Sequence, residues 1–365
     1  MVRILIFGMT ENPGGIESVI MNYYRAIDKS KIQFDFLCNS PEVAYEEEIQ
    51  KLGGKIYKIT SRSNNACLYY KELRSFFKNN AVKYKTIWVN ICSLANIDYL
   101  KYAKKYGIKY RIVHCHNSQN MDSKARKILH IINKFRLKKY ATDYWTCSED
   151  ANNWFFTNNI LKKNKIVCIN NAIDYNKFKF NEKIRQEYRN KLNIDSKLVF
   201  AHIGRLHFEK NQLMLLDIFK NINEMNGNVE LLLIGDGEDR AKIENKIKKL
   251  ELENNVRLLG IRNDVEKIMQ SVDAIIFPSL FEGLPLVLIE AQANGLPIFA
   301  SKSISEQVVI GENVELISLD EKTKEWAIKI LSSNLNRCDN YEKIKIKGFD
   351  IKIESKKIEE LLMRE

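Results

Sequence analysis

The chain has 365 residues and a mass of 42.7 kDa, too much for one hydrophobic core of ordinary size, so two domains are expected. Apolar residues at 45%, aromatics at 10% and only 5 prolines exclude a disordered or collagen-like chain. The net charge of +12 divides into +14 over residues 1–178 and −2 over residues 179–365, so it marks one half of the molecule. Taken in chain order, the first half offers short apolar runs at Val2–Phe7, Phe34–Leu37, Lys55–Ile59, Thr86–Asn90, Tyr110–His114, Asp143–Cys147 and Ile166–Ile169. Helical periodicity falls between them, at Ile16–Ile27, Tyr69–Asn79, Leu94–Tyr106 and Ala125–Tyr140. A polar, strand-poor stretch from Asn171 to Asp195 follows, with a linker expected near residues 172–180. The alternation then restarts with Leu198–Ile203, Val229–Ile234, Val256–Leu259, Ala274–Phe277, Pro297–Ala300 and Glu315–Ser318, and the chain closes on an amphipathic helix, Ile351–Met363.

Short apolar strands that alternate with helices describe parallel, doubly wound sheets. The expected fold is therefore α/β with two Rossmann-like domains facing across a cleft, over residues 1–175 and 176–340. A C-terminal segment, 341–365, is expected to pack back toward the first. Seven cysteines, an odd number without a C-x-x-C pair, argue against a disulfide framework and for a reducing, cytoplasmic setting. The apolar run before Gly8 is too short for a signal peptide or a spanning helix, and no window reaches about 18 apolar residues.

Two loops carry most of the chemistry. In Phe277-Pro-Ser-Leu-Phe-Glu-Gly-Leu-Pro-Leu, a strand ends at Phe277 and Pro285 suits the first turn of a helix. Backbone N–H groups of Gly283 and Leu284 there could face a phosphate. Glu282 lies on the loop and Glu290 about one turn inside the helix, so the two carboxylates would reach different parts of one ligand. In Gly204-Arg-Leu-His-Phe-Glu-Lys-Asn211, Gly204 lets backbone approach a ligand, and Arg205 and Lys210 add a forked and a point cation. The Gly235-Asp236-Gly237 turn lacks the third glycine of a dinucleotide fingerprint, and no Walker sequence occurs, so a nicotinamide-dependent dehydrogenase is disfavoured.

Together these segments resemble glycosyltransferase family 4, retaining sugar transferases of the GT-B fold. The resemblance rests on Glu282 and Glu290 with seven residues between them, the Gly204–Asn211 run, the Gly-Asp-Gly turn and the Val256–Val265 stretch. The Gly14-Gly15-Ile16-Glu17 loop and Asn171-Ala172-Ile173-Asp174 add to it. It implies that Arg205 and Lys210 hold a donor diphosphate, Glu290 the ribose and Glu282 the donor sugar. Gly283 and Leu284 would offer N–H groups, Gly235 would line the donor, and Gly260, Ile261 and Arg262 would border the base. Gly15 would let the N-terminal loop close over the phosphates. No cofactor is expected beyond the nucleotide-sugar co-substrate, a UDP-sugar in preference to a GDP-sugar. No Asp-x-Asp sequence is present, and metal-independent transfer of a hexosyl or N-acetylhexosaminyl group is expected, with Arg205 and Lys210 stabilising the departing diphosphate.

The family also places a histidine near the reacting sugar, and both His114 and His116 end a first-half strand, with His116 preferred. His130, His202 and His207 show no comparable placement. Residues 99–145 carry twelve Lys/Arg against Asp122 and Asp143, and Lys124–Tyr140 interleaves cations with Ile128, Leu129, Ile131, Ile132, Phe135 and Leu137. Such a helix suits an anionic membrane surface on the inner face of the plasma membrane, where a lipid-linked saccharide acceptor would reside. The expected role lies in capsular, exopolysaccharide or O-antigen synthesis. The rival readings are a sugar-nucleotide epimerase of the same fold or a non-catalytic assembly partner. A nucleic-acid-binding role is disfavoured, since no recognition module accompanies the charge.

Overall fold

The computed structural model describes residues 1–116, 123–147, 149–282 and 284–364. It divides into two compact units, Met1–Ala172 with Ile351–Glu365, and Ile173–Asp350. Each is built on one parallel sheet. The first unit has seven strands: β1 (Val2–Phe7), β2 (Ile32–Cys38), β3 (Ile56–Lys58), β4 (Thr86–Ile91), β5 (Tyr110–Cys115), β6 (Asp143–Thr146) and β7 (Ile166–Cys168), in the order β3-β2-β1-β4-β5-β6-β7. The second has six: β8 (Leu198–Ile203), β9 (Val229–Ile234), β10 (Val256–Gly260), β11 (Ala274–Phe277), β12 (Ile298–Ser301) and β13 (Val314–Ile317), in the order β10-β9-β8-β11-β12-β13.

The central strands are rich in apolar residues because both faces of each sheet are covered; every residue of β2, β4 and β9 is buried, including Gln33, Asp35, Thr86, Asn90 and Glu230. In each sheet the order reverses once, between β1 and β4 and between β8 and β11. Reversal points leave a crevice outside the carboxyl ends of the two strands, where doubly wound sheets bind ligands. The first core gathers Leu73, Phe77, Val89, Val113 and Phe155, and the second gathers Phe200, Leu216, Phe219, Leu233 and Trp326.

Several boundaries differ from those expected. Residues 172–180 are not a free linker: Ile173 bridges to Asp350 and donates its N–H to the Phe349 carbonyl at 2.9 Å, and Tyr175–Phe178 forms a short helix. The chain thus leaves the first unit at Ala172 rather than at 175 and returns to it at Ile351 rather than at 341. The segment Tyr341–Ile346 is a helix of the second unit. Ile351–Met363 packs on the first, burying Ile351, Ile358 and Leu362 and accepting the Asp28 N–H on Glu359 at 2.7 Å.

The polar stretch before Asp195 contains a helix, Glu182–Leu192, capped by the Asn181 side chain and stopped by Asn193 at φ 53°. Its apolar periodicity is weak because it docks through guanidinium groups. Arg185 pairs with Asp273 at 2.5 Å, and Arg189 donates to the Ser271 carbonyl at 2.8 Å.

Leu94–Tyr106 becomes helical only at Asp98, since Asn96 first turns the chain by accepting the Asp98 N–H at 2.9 Å. The basic helix runs Lys124–Arg136, with a tighter turn at Leu137–Lys139. Its orientation is inverted. His130 and Asn133 are buried, while Ile128, Leu129, Ile131, Ile132 and Phe135 are exposed, Phe135 to 66%. Backbone groups explain this: the His130 ring accepts the Leu94 N–H at 3.2 Å and contacts the Trp154 carbonyl at 3.1 Å, and the Asn133 amide donates to Leu94 O at 2.7 Å. Among the described residues no helix is long and apolar enough to cross a membrane.

Candidate active site

The loops after β8 and β11 meet at the reversal point of the second sheet. Lys210 and Glu282 form an ion pair, with both side chains less than a fifth exposed. The Lys210 ammonium also lies 5.3 Å from the Phe277 ring centroid, and the Leu280 N–H donates to the Glu209 carbonyl at 2.8 Å, which ties the loops together. Arg205 is more exposed and pairs with Glu238 at 2.8 Å; the same carboxylate lies 3.1 Å from the His207 Nε2. The structure therefore brings Arg205, Lys210 and Glu282 to one strand edge, and adds Glu238 and His207, which the sequence motifs did not single out.

Beneath them runs a buried polar chain. His202 is fully buried and stacks on Phe277 with ring centroids 5.2 Å apart. Its Nδ1 lies 3.0 Å from the Ile276 carbonyl, which can only accept, so Nδ1 carries the proton and Nε2 accepts from the Gln212 amide at 3.3 Å. Gln212 also donates to the Arg205 carbonyl at 2.8 Å. Burial pushes the His202 pKa down to about 4, so this strut is neutral and holds the Gly204–Arg205 turn in place. His202 and His207, which the sequence did not place beside a reacting sugar, instead support the loops of this edge.

The glycine turn has a structural reason that its sequence did not reveal. Gly235 sits at φ 131°, and a Cβ there would fall 2.0 Å from the Gly204 carbonyl oxygen; one on Gly237 would fall 2.3 Å from Leu206 O. Loop thus packs on loop: Gly204 N–H donates to Ile234 O, Leu206 N–H to Asp236 O and Gly235 N–H to Gly260 O, at 2.9, 3.1 and 2.9 Å. At the end of β10, Ile261 is exposed, and the Arg262 guanidinium grips Asp264 through both carboxylate oxygens at 2.8 and 2.7 Å.

Glu290 lies in the helix Leu286–Ala293, half-buried, and burial raises its pKa to about 7. The Lys177 ammonium opposes that rise and Glu266 adds to it; these two pair with each other at 3.7 Å. Pro285 is the N-cap of that helix rather than its first residue, with ψ 110° keeping it outside the turn. Leu284 is buried, and Gly283 lies outside the described residues.

In the first unit, His116 follows β5 and contacts Asn90 on β4, while His114 is fully buried inside the strand. This separates the two histidines: His114 belongs to the core and His116 to the strand's carboxyl end. Gly15 opens the helix Gly15–Ala26, and a Cβ there would meet nothing within 4 Å, so packing within the chain does not account for its being glycine. The preceding loop is tied by Glu17, which accepts from the Thr10 N–H at 3.1 Å and its hydroxyl at 2.6 Å. Among the described residues no group of three or more His, Cys, Asp or Glu is arranged to hold a metal ion.

Two units, each on one parallel sheet, with ionic residues at a strand-order reversal, fit the GT-B fold class. Residues 184–348 match the profile of glycosyl transferases group 1. EpsF of Bacillus subtilis (strain 168), described as a glycosyltransferase, is 34% identical over 329 residues, covering 87% of this chain and 83% of EpsF. The chain belongs to this family of glycosyltransferases. An Escherichia coli protein named UDP-Gal:alpha-D-GlcNAc-diphosphoundecaprenol alpha-1,3-galactosyltransferase is 32% identical over 219 residues, 54% of each chain. In fold, the chain is similar to HepE of Anabaena, solved in complex with UDP and glucose, with TM-score 0.81, 20% identity and 99% of both chains covered.

Proposed function

We propose that the protein is a retaining, metal-independent transferase of hexosyl or N-acetylhexosaminyl groups from a UDP-sugar to a lipid-linked saccharide in bacterial capsular, exopolysaccharide or O-antigen synthesis. The observation that carries this reading is the convergence of Arg205, Lys210 and Glu282 at the β8/β11 reversal. Cleavage of a glycosyl phosphate builds negative charge on the leaving diphosphate, and two cations fixed at that edge would offset it as it forms. Glu282, held by Lys210, would accept hydroxyls of the donor sugar; Glu290 would accept those of the ribose. UDP is favoured because HepE was solved with UDP and glucose and the Escherichia coli relative is named for UDP-Gal. The lipid-linked acceptor is supported by the diphosphoundecaprenol in that relative's name.

The outward apolar face of Lys124–Arg136, flanked by Lys124, Lys127, Lys134, Lys138 and Lys139, supports docking on the anionic inner face of the plasma membrane. Several of the twelve cations in residues 99–145 are used inside the fold: Lys101 pairs with Asp98 at 2.8 Å, Arg111 donates to the Ile108 and Tyr140 carbonyls, and Lys104 and Lys134 donate to the Lys139 and Asn153 carbonyls at 2.8 and 2.6 Å. A thermal-shift panel of UDP-, GDP- and ADP-sugars tests the donor, since bound ligand stabilises as RT ln(1 + [L]/Kd). Stabilisation by UDP-sugars alone is expected, and a preference for GDP-sugars contradicts the assignment. Incubation with sugar nucleotide alone separates transferase from epimerase, because an epimerised product would exclude the transferase reading.

A further inference from the structure

We infer that Asn90 is a positioning residue that holds the His116 imidazole as its Nε2–H tautomer, leaving Nδ1 as the ring's hydrogen-bond acceptor at the carboxyl end of β5. Asn90 is 1% exposed, lies on β4 and pairs in register with His114 on β5. Its amide orientation follows from its neighbours. The amide nitrogen faces the Phe7 carbonyl at 3.3 Å and the Trp88 carbonyl at 3.5 Å, and both can only accept. The Asn90 oxygen must then face the histidines, lying 2.9 Å from His116 Nε2 and 3.1 Å from His114 Nδ1.

A carbonyl oxygen cannot donate, so His116 Nε2 supplies the hydrogen. Burial pushes the His116 pKa down to about 3, which leaves the ring neutral near pH 7 with a single N–H. That N–H is committed to Asn90, and the lone pair is therefore on Nδ1. His114 cannot take over the role. Its Nδ1 faces both the Asn90 oxygen and the donor-only Trp88 Nε1, at 3.3 Å, and its buried Nε2 has no hydrogen-bond partner among the described residues. The His114 ring backs His116 with centroids 4.0 Å apart.

The place for Asn90 is itself built into the chain. Gly8 ends the run after β1 at φ 135°, and a Cβ there would fall 2.7 Å from Asn90 Cβ and 2.8 Å from its carbonyl oxygen. Gly8, Asn90 and His116 thus follow β1, end β4 and follow β5, on either side of the reversal of the first sheet. The consequence for transfer rests on the reading that His116 meets the donor sugar: Nδ1 would accept a sugar hydroxyl, and the other tautomer would oppose one N–H with another.

The test uses the full-length protein labelled with 15N in its histidine rings, with His116 assigned by its loss in His116→Gln. Long-range 1H–15N spectra should show one His116 tautomer, protonated at Nε2. Asn90→Leu should release it to a mixture, and kcat should fall at least about tenfold with KM for the sugar nucleotide changed less than about threefold. Asn90→Asp, which keeps an acceptor oxygen, should retain the tautomer. A wild-type His116 protonated at Nδ1 would overturn the inference without any variant having to fold, and so would an unchanged tautomer in Asn90→Leu. Normal turnover by His116→Ala would instead remove His116 from the reaction, leaving the spectra to decide the tautomer.

Discussion

The two sheets share a topology, each with its own reversal point, but line these points with opposite chemistry. At β8/β11 the residues are charged and paired across loops, Lys210 with Glu282 and Arg205 with Glu238, over a neutral strut from His202 through Gln212. At β1/β4 and the neighbouring β5 the residues are neutral, Gly8, Asn90 and His116, and hydrogen-bond geometry does the work of charge. The same backbone plan therefore supports a charged edge in one unit and a neutral, hydrogen-bonded edge in the other. Fold decides where a ligand can go, and the side chains decide the chemistry it meets there.

The comparison can be broken most forcibly at the cations. Arg205→Ala or Lys210→Ala should lower kcat by about 10²–10³-fold, the usual cost of removing a group that stabilises developing negative charge. Steady-state transfer assays measure this, and near-normal turnover would remove the charge-based role from that edge. A backbone change comes next. Gly235→Ala sets a Cβ against the Gly204 carbonyl at a left-handed φ, so a stability loss of more than about 2 kcal/mol is expected, read as a lower midpoint in urea. An unchanged midpoint would mean that the loops can separate freely.

The third effect is a pH dependence. With Glu290 raised to about 7 by burial, its carboxylate is mostly protonated at pH 6 and mostly ionised at pH 8. UDP affinity should therefore fall by about tenfold from pH 8 to pH 6, following the one-unit-per-decade titration, and Glu290→Gln should flatten the profile. Stability carries the opposite sign. The folded-state value lies above the ordinary carboxylate value, so the folded protein loses stability as pH rises through about 7, and Glu290→Gln should be the more stable protein at pH 8. Calorimetry and thermal melts over the same pH series measure the two. The smallest effect belongs to the exposed helix: Phe135→Glu with Ile131→Glu should weaken flotation on anionic liposomes and leave transfer to a soluble acceptor unchanged. Equal flotation would count against that face as the docking surface.

Much of the architecture was legible because buried parallel strands write themselves as apolar runs: thirteen such runs were expected, and among the described residues thirteen strands occur at those positions. Arg205, Lys210 and Glu282 stood out in the sequence as charges beside strand ends and glycine turns, and the fold brings these three to one edge. The Glu182–Leu192 helix was not legible, because arginines rather than an apolar stripe dock it. Its local signals, the Asn181 cap and Asn193, were present but weak. The inward face of Lys124–Arg136 was illegible for a different reason. Periodicity reveals a stripe but not its direction, and here the backbone of Leu94 and Trp154 draws the polar side inward. Asn90 left no motif, since its importance comes from Gly8 and His116, which lie 82 and 26 residues away along the chain.

The central claim is that the β8/β11 edge holds the donor diphosphate, and calorimetric titration of UDP into the wild-type protein and the Arg205→Ala/Lys210→Ala double variant tests it most directly. The account predicts that Kd rises at least about 100-fold in the double variant, since each lost charge-assisted bond weakens binding by about 1.5–3 kcal/mol. A double variant that melts like the wild type and still binds UDP with an unchanged Kd would contradict it.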